Sequence, residues 1–136
     1  MTKNDNFHNK LMETASRKDI LEMQSARLRA VVKHVYESNA SYRRLFDEAN
    51  VKPEDIRSAE DVVKLPMTNK DILRESYPLG LSCVPRQRIV EMHMSSGSTG
   101  TPVVMPYTEN DLLQWAECMA RCYRMAGAKP GDATQI

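Results

Sequence analysis

From Ser95 to Thr101, seven consecutive residues hold two glycines and five hydroxyl side chains, in a chain of 136 residues that has only five glycines. Glycine takes positive φ and lets another group approach the backbone closely. Successive amides in such a turn converge into a concave nest for anions, and serine and threonine add hydroxyl donors to it. The same composition would serve a flexible Ser/Gly linker, and the flanks argue against that. Residues 88–94 alternate, with Val90, Met92 and Met94 on one face and Ile89, Glu91 and His93 on the other; residues 102–107 form a second short apolar run. Two strands joined by seven residues are antiparallel neighbours, because a parallel pair needs a longer crossover. The residues alone leave two uses for the loop open: an anion cradle, or a plain hairpin turn.

Neither of two well-known phosphate signatures fits. A nucleoside-triphosphatase P-loop has four residues between its glycines and then Gly-Lys-Ser/Thr. Here two residues separate Gly97 from Gly100 and no lysine follows. A dinucleotide GxGxxG fingerprint is also absent.

The chain before the loop reads as helical. Residues 1–15 lack periodicity and are expected to fray. Ser16 is a helix N-cap with Asp19 at the capping-box place, and Ile20, Leu21, Leu28, Val31, Val32 and Val35 recur at helical spacing. The pattern predicts a helix over 17–37, broken at Ser38-Asn39-Ala40. A second helix follows over 42–49, burying Leu45 and Phe46, with Asn50 in the left-handed region at its end. Ser58 and Thr68 then cap two short helices, 59–64 and 69–75, each with an acid three residues on. Residues 77–88 are an irregular connector. After the hairpin, Thr108 caps a long helix with Asp111 at the box position and Leu112, Ala116, Met119, Ala120 and Tyr123 along one face. Gly127 ends that helix, residues 129–132 turn, and residues 133–136 look like another strand.

The fold class expected is α+β or α/β: a helical region over 1–80, then a hairpin and helix over 81–136 that open a larger, incomplete domain. A chain that stops as a strand begins is expected to be a piece of a longer protein. Its uncovered sheet edge is expected to self-pair.

The Ser/Thr/Gly run resembles the signature of the adenylate-forming enzymes, the acyl-CoA synthetase superfamily, and within it the phenylacetate–coenzyme A ligase family. The resemblance extends, in order, through residues 42–49 (YRRLFDEA), 65–71 (LPMTNKD), 77–80 (YPLG), 84–86 (VPR), 95–100 (SSGSTG) and 107–112 (YTENDL). It implies that 81–136 begin an AMP-binding (adenylation) domain. It implies that Ser95, Ser96, Gly97, Ser98, Thr99, Gly100 and Thr101 bind ATP phosphates. It implies an enzyme that joins a phenylacetate-like acid to AMP and then to coenzyme A, with ATP, magnesium and coenzyme A as cofactors and a homodimer as the assembly. The adenine and ribose motifs and the catalytic lysine of the family lie further along, so no catalytic residue and no turnover are expected from these residues alone. One departure is that the family usually has a lysine at or just after the position of Thr101, and this chain has none. Two further readings are a ligase for another acceptor, such as a deazaflavin cofactor, and a non-catalytic helical interaction module.

Other residues carry weaker signals. His93 titrates near neutral pH, but no nucleophile constellation surrounds it, so it is read as loop support with Glu91 as its partner. Cys118 and Cys122 lie four apart on one helical face; a zinc site needs about four ligands, so they are read as buried free thiols and no metal site is expected. Trp115, Met119 and Cys122 are expected to pack against sheet that residues 1–136 do not include, rather than to recognise a ligand. Arg43, Arg44, Lys64, Lys70 and Arg74 are expected on solvated helix faces rather than in a coenzyme A phosphate site. A net charge of +1 gives no reason to expect nucleic acid or an anionic membrane as partner. The polar N-terminus and the odd number of cysteines point to the cytoplasm.

Overall fold

The computed structural model describes residues 7–96 and 100–133. Among the described residues, five helices and one hairpin are joined by short 3-10 turns: α1 (Lys10–Glu13), α2 (Arg17–Ser38), α3 (Ala40–Glu48), α4 (Lys70–Glu75), β1 (Ile89–Met94), β2 (Val104–Thr108) and α5 (Glu109–Met125). Of the strand expected over 133–136, residues 134–136 lie outside the described residues.

The capping residues act largely as the sequence predicts. Ser16 Oγ accepts from the Asp19 amide and donates to the Asp19 carboxylate at 2.6 Å. Thr108 and Asp111 bond reciprocally to each other's backbone amide, closing the box that starts α5. Ser58 caps the 3-10 turn Ala59–Lys64, where Asp61 accepts from the Arg57 and Ser58 amides at 2.9 Å each. Lys64 is the largest of the influences that hold the Asp61 carboxyl well below the ordinary aspartate range. Asn50 takes φ +53 at the end of α3. One cap differs: Asn69, not Thr68, starts α4, its side chain accepting from the amides of Asp71 and Ile72. The stretch before Ser16 differs too. From residue 9 onward it is not frayed: Asn9 caps α1, and it is also bonded to α5.

The main core sits in the helical half. Val32 and Ile56 are 2% exposed, and Phe46 and Val51 pack with them between α2, α3 and the 3-10 turns. Phe46 is the buried residue of α3, Leu45 is only half-buried, and Val31 points outward, half exposed. Burial of each such side chain stabilises the fold by about 2 kcal/mol. Arg43 is not a merely solvated charge. It donates to the carbonyls of Tyr36 and Glu37 at the end of α2 and lies over the Tyr36 ring, which suits the negative end of a helix.

Asn39 makes the corner between α2 and α3. Its amide N–H donates to Val35 O. Its side-chain oxygen accepts from the Ser41 and Tyr42 amides, and its side-chain nitrogen donates to Gly80 O at 2.9 Å and Ser82 O at 3.0 Å. It is the buried polar residue that positions the connector leading into the hairpin.

β1 and β2 are antiparallel, as expected, with His93 opposite Met105, Met94 opposite Val104, and an irregularity between Ile89 and Glu91. The face carrying Val90, Met92 and Met94 is more than half exposed at each of these residues. On α5 the apolar stripe predicted to be covered is covered in part at Leu112 and Ala120 and turned outward at its other positions. Glu117, Ala120, Arg121 and Arg124, with Leu112, are half-buried, whereas Ala116, Met119 and Tyr123 are exposed. The reason is electrostatic: Glu117 accepts from Asn9 at 2.8 Å and pairs with His8 at 3.0 Å and Arg121 at 3.6 Å. Cys118 and Cys122 lie beside that tied stripe and are exposed, contrary to the expectation of buried thiols.

Candidate functional site

The hairpin carries the candidate loop on a closed neck. The Ser95 amide donates to Val103 O at 3.0 Å, and the Val103 amide donates back to Ser95 Oγ at 2.9 Å. Val103 is buried. The Ser95 hydroxyl oxygen therefore accepts a bond that shapes the loop, while its proton stays available as a donor. Ser96, Gly100 and Thr101 are exposed. Gly100 has φ +122, which side-chain-bearing residues rarely adopt, and a Cβ built there would meet nothing within 4 Å. The glycine is thus demanded by backbone conformation and not by crowding. Gly97, Ser98 and Thr99 lie outside the described residues.

Between Ser95 and Tyr107 the sequence has no charged side chain. The loop therefore offers an anion amides and hydroxyls without a competing carboxylate. Glu91 is the nearest acid on β1, and its Oε1 is engaged by His93 Nε2 at 2.5 Å.

His93 and Glu91 are brought together as predicted, and the structure adds two partners. The His93 ring lies 5.0 Å from Tyr107 and 5.5 Å from Trp115, each at an interplanar angle of 64°. Tyr107 and Trp115 stack at 5.5 Å and 24°. Trp115 and Tyr107 were absent from the predicted site. Pairing the two strands in register would have placed Tyr107 on the His93 face, since Glu91 stands opposite Tyr107. Trp115 follows because β2 runs directly into α5 and the second turn of that helix returns over the hairpin.

A cavity of about 480 Å³ separates the helical half from the hairpin, lined among others by Tyr42, Leu73, Leu79, Cys83, Val104 and Pro106. Burial pushes both the Tyr42 hydroxyl and the Cys83 thiol above their ordinary values, the neighbouring Cys83 adding to the effect on Tyr42. Both groups are neutral at pH 7, while Asp111, also in the lining, is held below the ordinary aspartate range by Thr108 and stays a carboxylate. Among the described residues, no three histidine, cysteine, aspartate or glutamate side chains converge as a metal site would need, and no helix is long and apolar enough to cross a membrane.

No family model matches the chain. It is 47% identical over 120 residues to phenylacetate-coenzyme A ligase of Thermus thermophilus, a match covering 88% of this chain and 27% of that protein. It is 43% identical over 125 residues to phenylacetate-coenzyme A ligase of Escherichia coli, covering 92% of this chain and 29% of the relative. The chain thus spans little more than a quarter of the length of these curated relatives. Its fold is similar to that of 2-hydroxyisobutyryl-CoA ligase, solved in an open conformation with 2-HIB-AMP and CoA. The TM-score is 0.84 and the identity 29%, covering 97% of this chain and 32% of the other. In sequence and in fold, along nearly its whole length, the chain is homologous to part of phenylacetate–coenzyme A ligase, among the adenylate-forming acyl-CoA ligases.

Proposed function

We propose that these residues are the N-terminal part of a carboxylate–coenzyme A ligase acting on a phenylacetate-like acid. In the first half-reaction the acid's carboxylate oxygen attacks the α-phosphorus of ATP, giving an acyl-adenylate and pyrophosphate. In the second, the coenzyme A thiol attacks the acyl carbon and AMP leaves. Residues 1–80 form a helical region, and 81–136 open the adenylation domain.

The observation that carries this reading is the 47% identity to a phenylacetate-coenzyme A ligase over 120 residues. The neck geometry supports a role for the loop. Ser95, Ser96, Gly97, Ser98, Thr99, Gly100 and Thr101 would surround the β- and γ-phosphates with amide and hydroxyl donors. Such donors stabilise charge on the leaving pyrophosphate without reorganising as it develops. Thr101, in the place where the family usually has lysine, supplies a hydroxyl, so the cradle relies on dipoles. Magnesium would arrive bound to the phosphates, as it commonly does; the described residues offer no carboxylate cage for it. His93 and Glu91 support the loop and do not touch the reacting atoms. The reading carries with it a cytoplasmic location, a homodimer, and no turnover by residues 1–136 alone.

The test is ATP–pyrophosphate exchange by the full-length protein, with phenylacetate set against other acids. Exchange driven best by phenylacetate and abolished by Gly100→Val is the expected result. Exchange unchanged in Gly100→Val removes the loop from the reaction, and absence of exchange with every aryl-acetic acid overturns the substrate class.

A further inference from the structure

The two neck bonds at Ser95 and Val103 join one strand of the hairpin to the other. They do not place the hairpin on the rest of the molecule. β2 is placed covalently, because Thr108 ends the strand and caps α5. β1 has no such continuity, and its alternate face, with Val90, Met92 and Met94, is largely exposed. The strand ladder joins β1 to β2, and the ring contact between His93 and Trp115 adds a direct link from β1 to α5 beside the loop.

We infer that His93 is a positioning residue for the loop: bracketed by Tyr107 and Trp115 and tethered to Glu91, it helps to fix the β1 side of the Ser95–Val103 neck on α5. This rests on the phosphate-binding reading of the loop. His93 lies two positions before Ser95, so a rotation of its ring is passed to the neck through one intervening residue. Its two ring contacts are edge-on, the arrangement in which the positive edge of one ring meets the negative face of another. Its side chain is 38% exposed, so it is not a simple core residue whose loss would empty a cavity. The function of the bracket is therefore local: it holds the neck of the loop against α5 and leaves the stability of the helical core nearly alone.

The experiment is ATP–pyrophosphate exchange by the full-length protein with ATP varied at saturating acid. His93→Ala is expected to raise KM for ATP about tenfold, the size of two lost aromatic contacts, with a smaller change in kcat. His93→Phe keeps a ring between Tyr107 and Trp115 and loses the bond to Glu91; it is expected to restore KM to within about threefold of the parent, since the ring contacts carry most of the effect. Trp115→Leu approaches the same bracket from α5 and is expected to behave like His93→Ala. Trp115 is the only tryptophan of these 136 residues, so its emission, read on them alone, shifts in His93→Ala and returns in His93→Phe. A parental KM in His93→Ala, with exchange abolished in Gly100→Val, overturns this inference and leaves the loop reading standing. Equal impairment of His93→Ala and His93→Phe overturns the ring role in favour of the imidazole nitrogen. Unchanged exchange in Gly100→Val overturns the loop reading and this inference with it.

Discussion

Asn9 and Glu117 lie 108 positions apart and are joined by a 2.8 Å hydrogen bond from the Asn9 amide group to Glu117 Oε1. The second carboxylate oxygen pairs with His8 at 3.0 Å. Glu13 meanwhile accepts from the backbone amides of His8 and Asn9 at 2.9 Å and 2.6 Å. A four-residue helix is too short to persist by its own backbone bonds, so α1 is held where it is by this polar junction with α5.

The junction has a pH dependence of known sign. The bond from Asn9 is the chief influence holding the Glu117 carboxyl below the ordinary glutamate range, and the charges of His8 and Arg121 add to it. A carboxyl lowered by folding binds its proton more readily in the unfolded chain. Its contribution is therefore complete above the ordinary glutamate range and is lost as pH falls through the folded value. Amide hydrogen exchange at Met12, Glu13 and Thr14, corrected for intrinsic rates, is expected to quicken as pH falls below that range, while the amides of α2 stay protected. Glu117→Ala is expected to give the same fast exchange at pH 7. Equal protection of α1 in parent and variant would show that the junction does not hold it.

Asn39 offers a test of the corner between the helices and the connector. Asn39→Ala removes the cap of α3 and both bonds to Gly80 and Ser82, and is expected to cost about 3 kcal/mol in urea unfolding. Asn39→Asp keeps a good cap acceptor but sets a carboxylate against two carbonyl oxygens that have lost their donor. It is expected to destabilise by a comparable amount, in spite of the preference for aspartate at N-caps. A harmless Asn39→Asp would mean that the connector bonds add nothing.

The cysteines differ in access. Cys118 and Cys122 are exposed, whereas Cys83 is half-buried with its thiol raised by burial. The thiolate is the reacting form. Under native conditions at pH 7.5, a value chosen below the ordinary thiol range of about 8.5, a maleimide is expected to label Cys118 and Cys122 first. Cys83 is expected to follow only on unfolding. Peptide mass spectrometry at early times checks the order, and early labelling of Cys83 would contradict the packed connector.

What could be read from the sequence was what lies within a turn or a strand pair. Ser16 with Asp19, Thr108 with Asp111, and Asn50 each answer to neighbours three or four positions away, so residue type and spacing were enough. The hairpin followed from alternation and a short loop. The resemblance to adenylate-forming enzymes came from ordered motifs, and the relatives at 43% and 47% identity bear it out.

What could not be read depends on partners distant in the chain. The two Asn39 bonds to the connector span 41 and 43 positions. The inward face of α5 mixes Leu112 and Ala120 with Glu117, Arg121 and Arg124, and Glu117 answers to Asn9, so a rule that turns apolar residues inward placed two residues of its stripe and misplaced Ala116, Met119 and Tyr123, with Cys118 and Cys122. Leu45 and Phe46 are adjacent, and periodicity alone could not say which of them meets Val32. Thr68 and Asn69 are both good caps, and only the backbone path selects between them. At the candidate site the sequence brought His93 and Glu91 together and named the loop. It did not supply Trp115, whose place depends on the angle at which α5 leaves β2.

An amide group is planar, with its acceptor and its donors fixed on opposite sides. At Asn39 the first turn of α3 occupies the acceptor side and the connector occupies the donor side. The tilt of a helix near the start of the chain therefore dictates the path by which the backbone enters β1 some fifty residues later, through the rigidity of one small side chain.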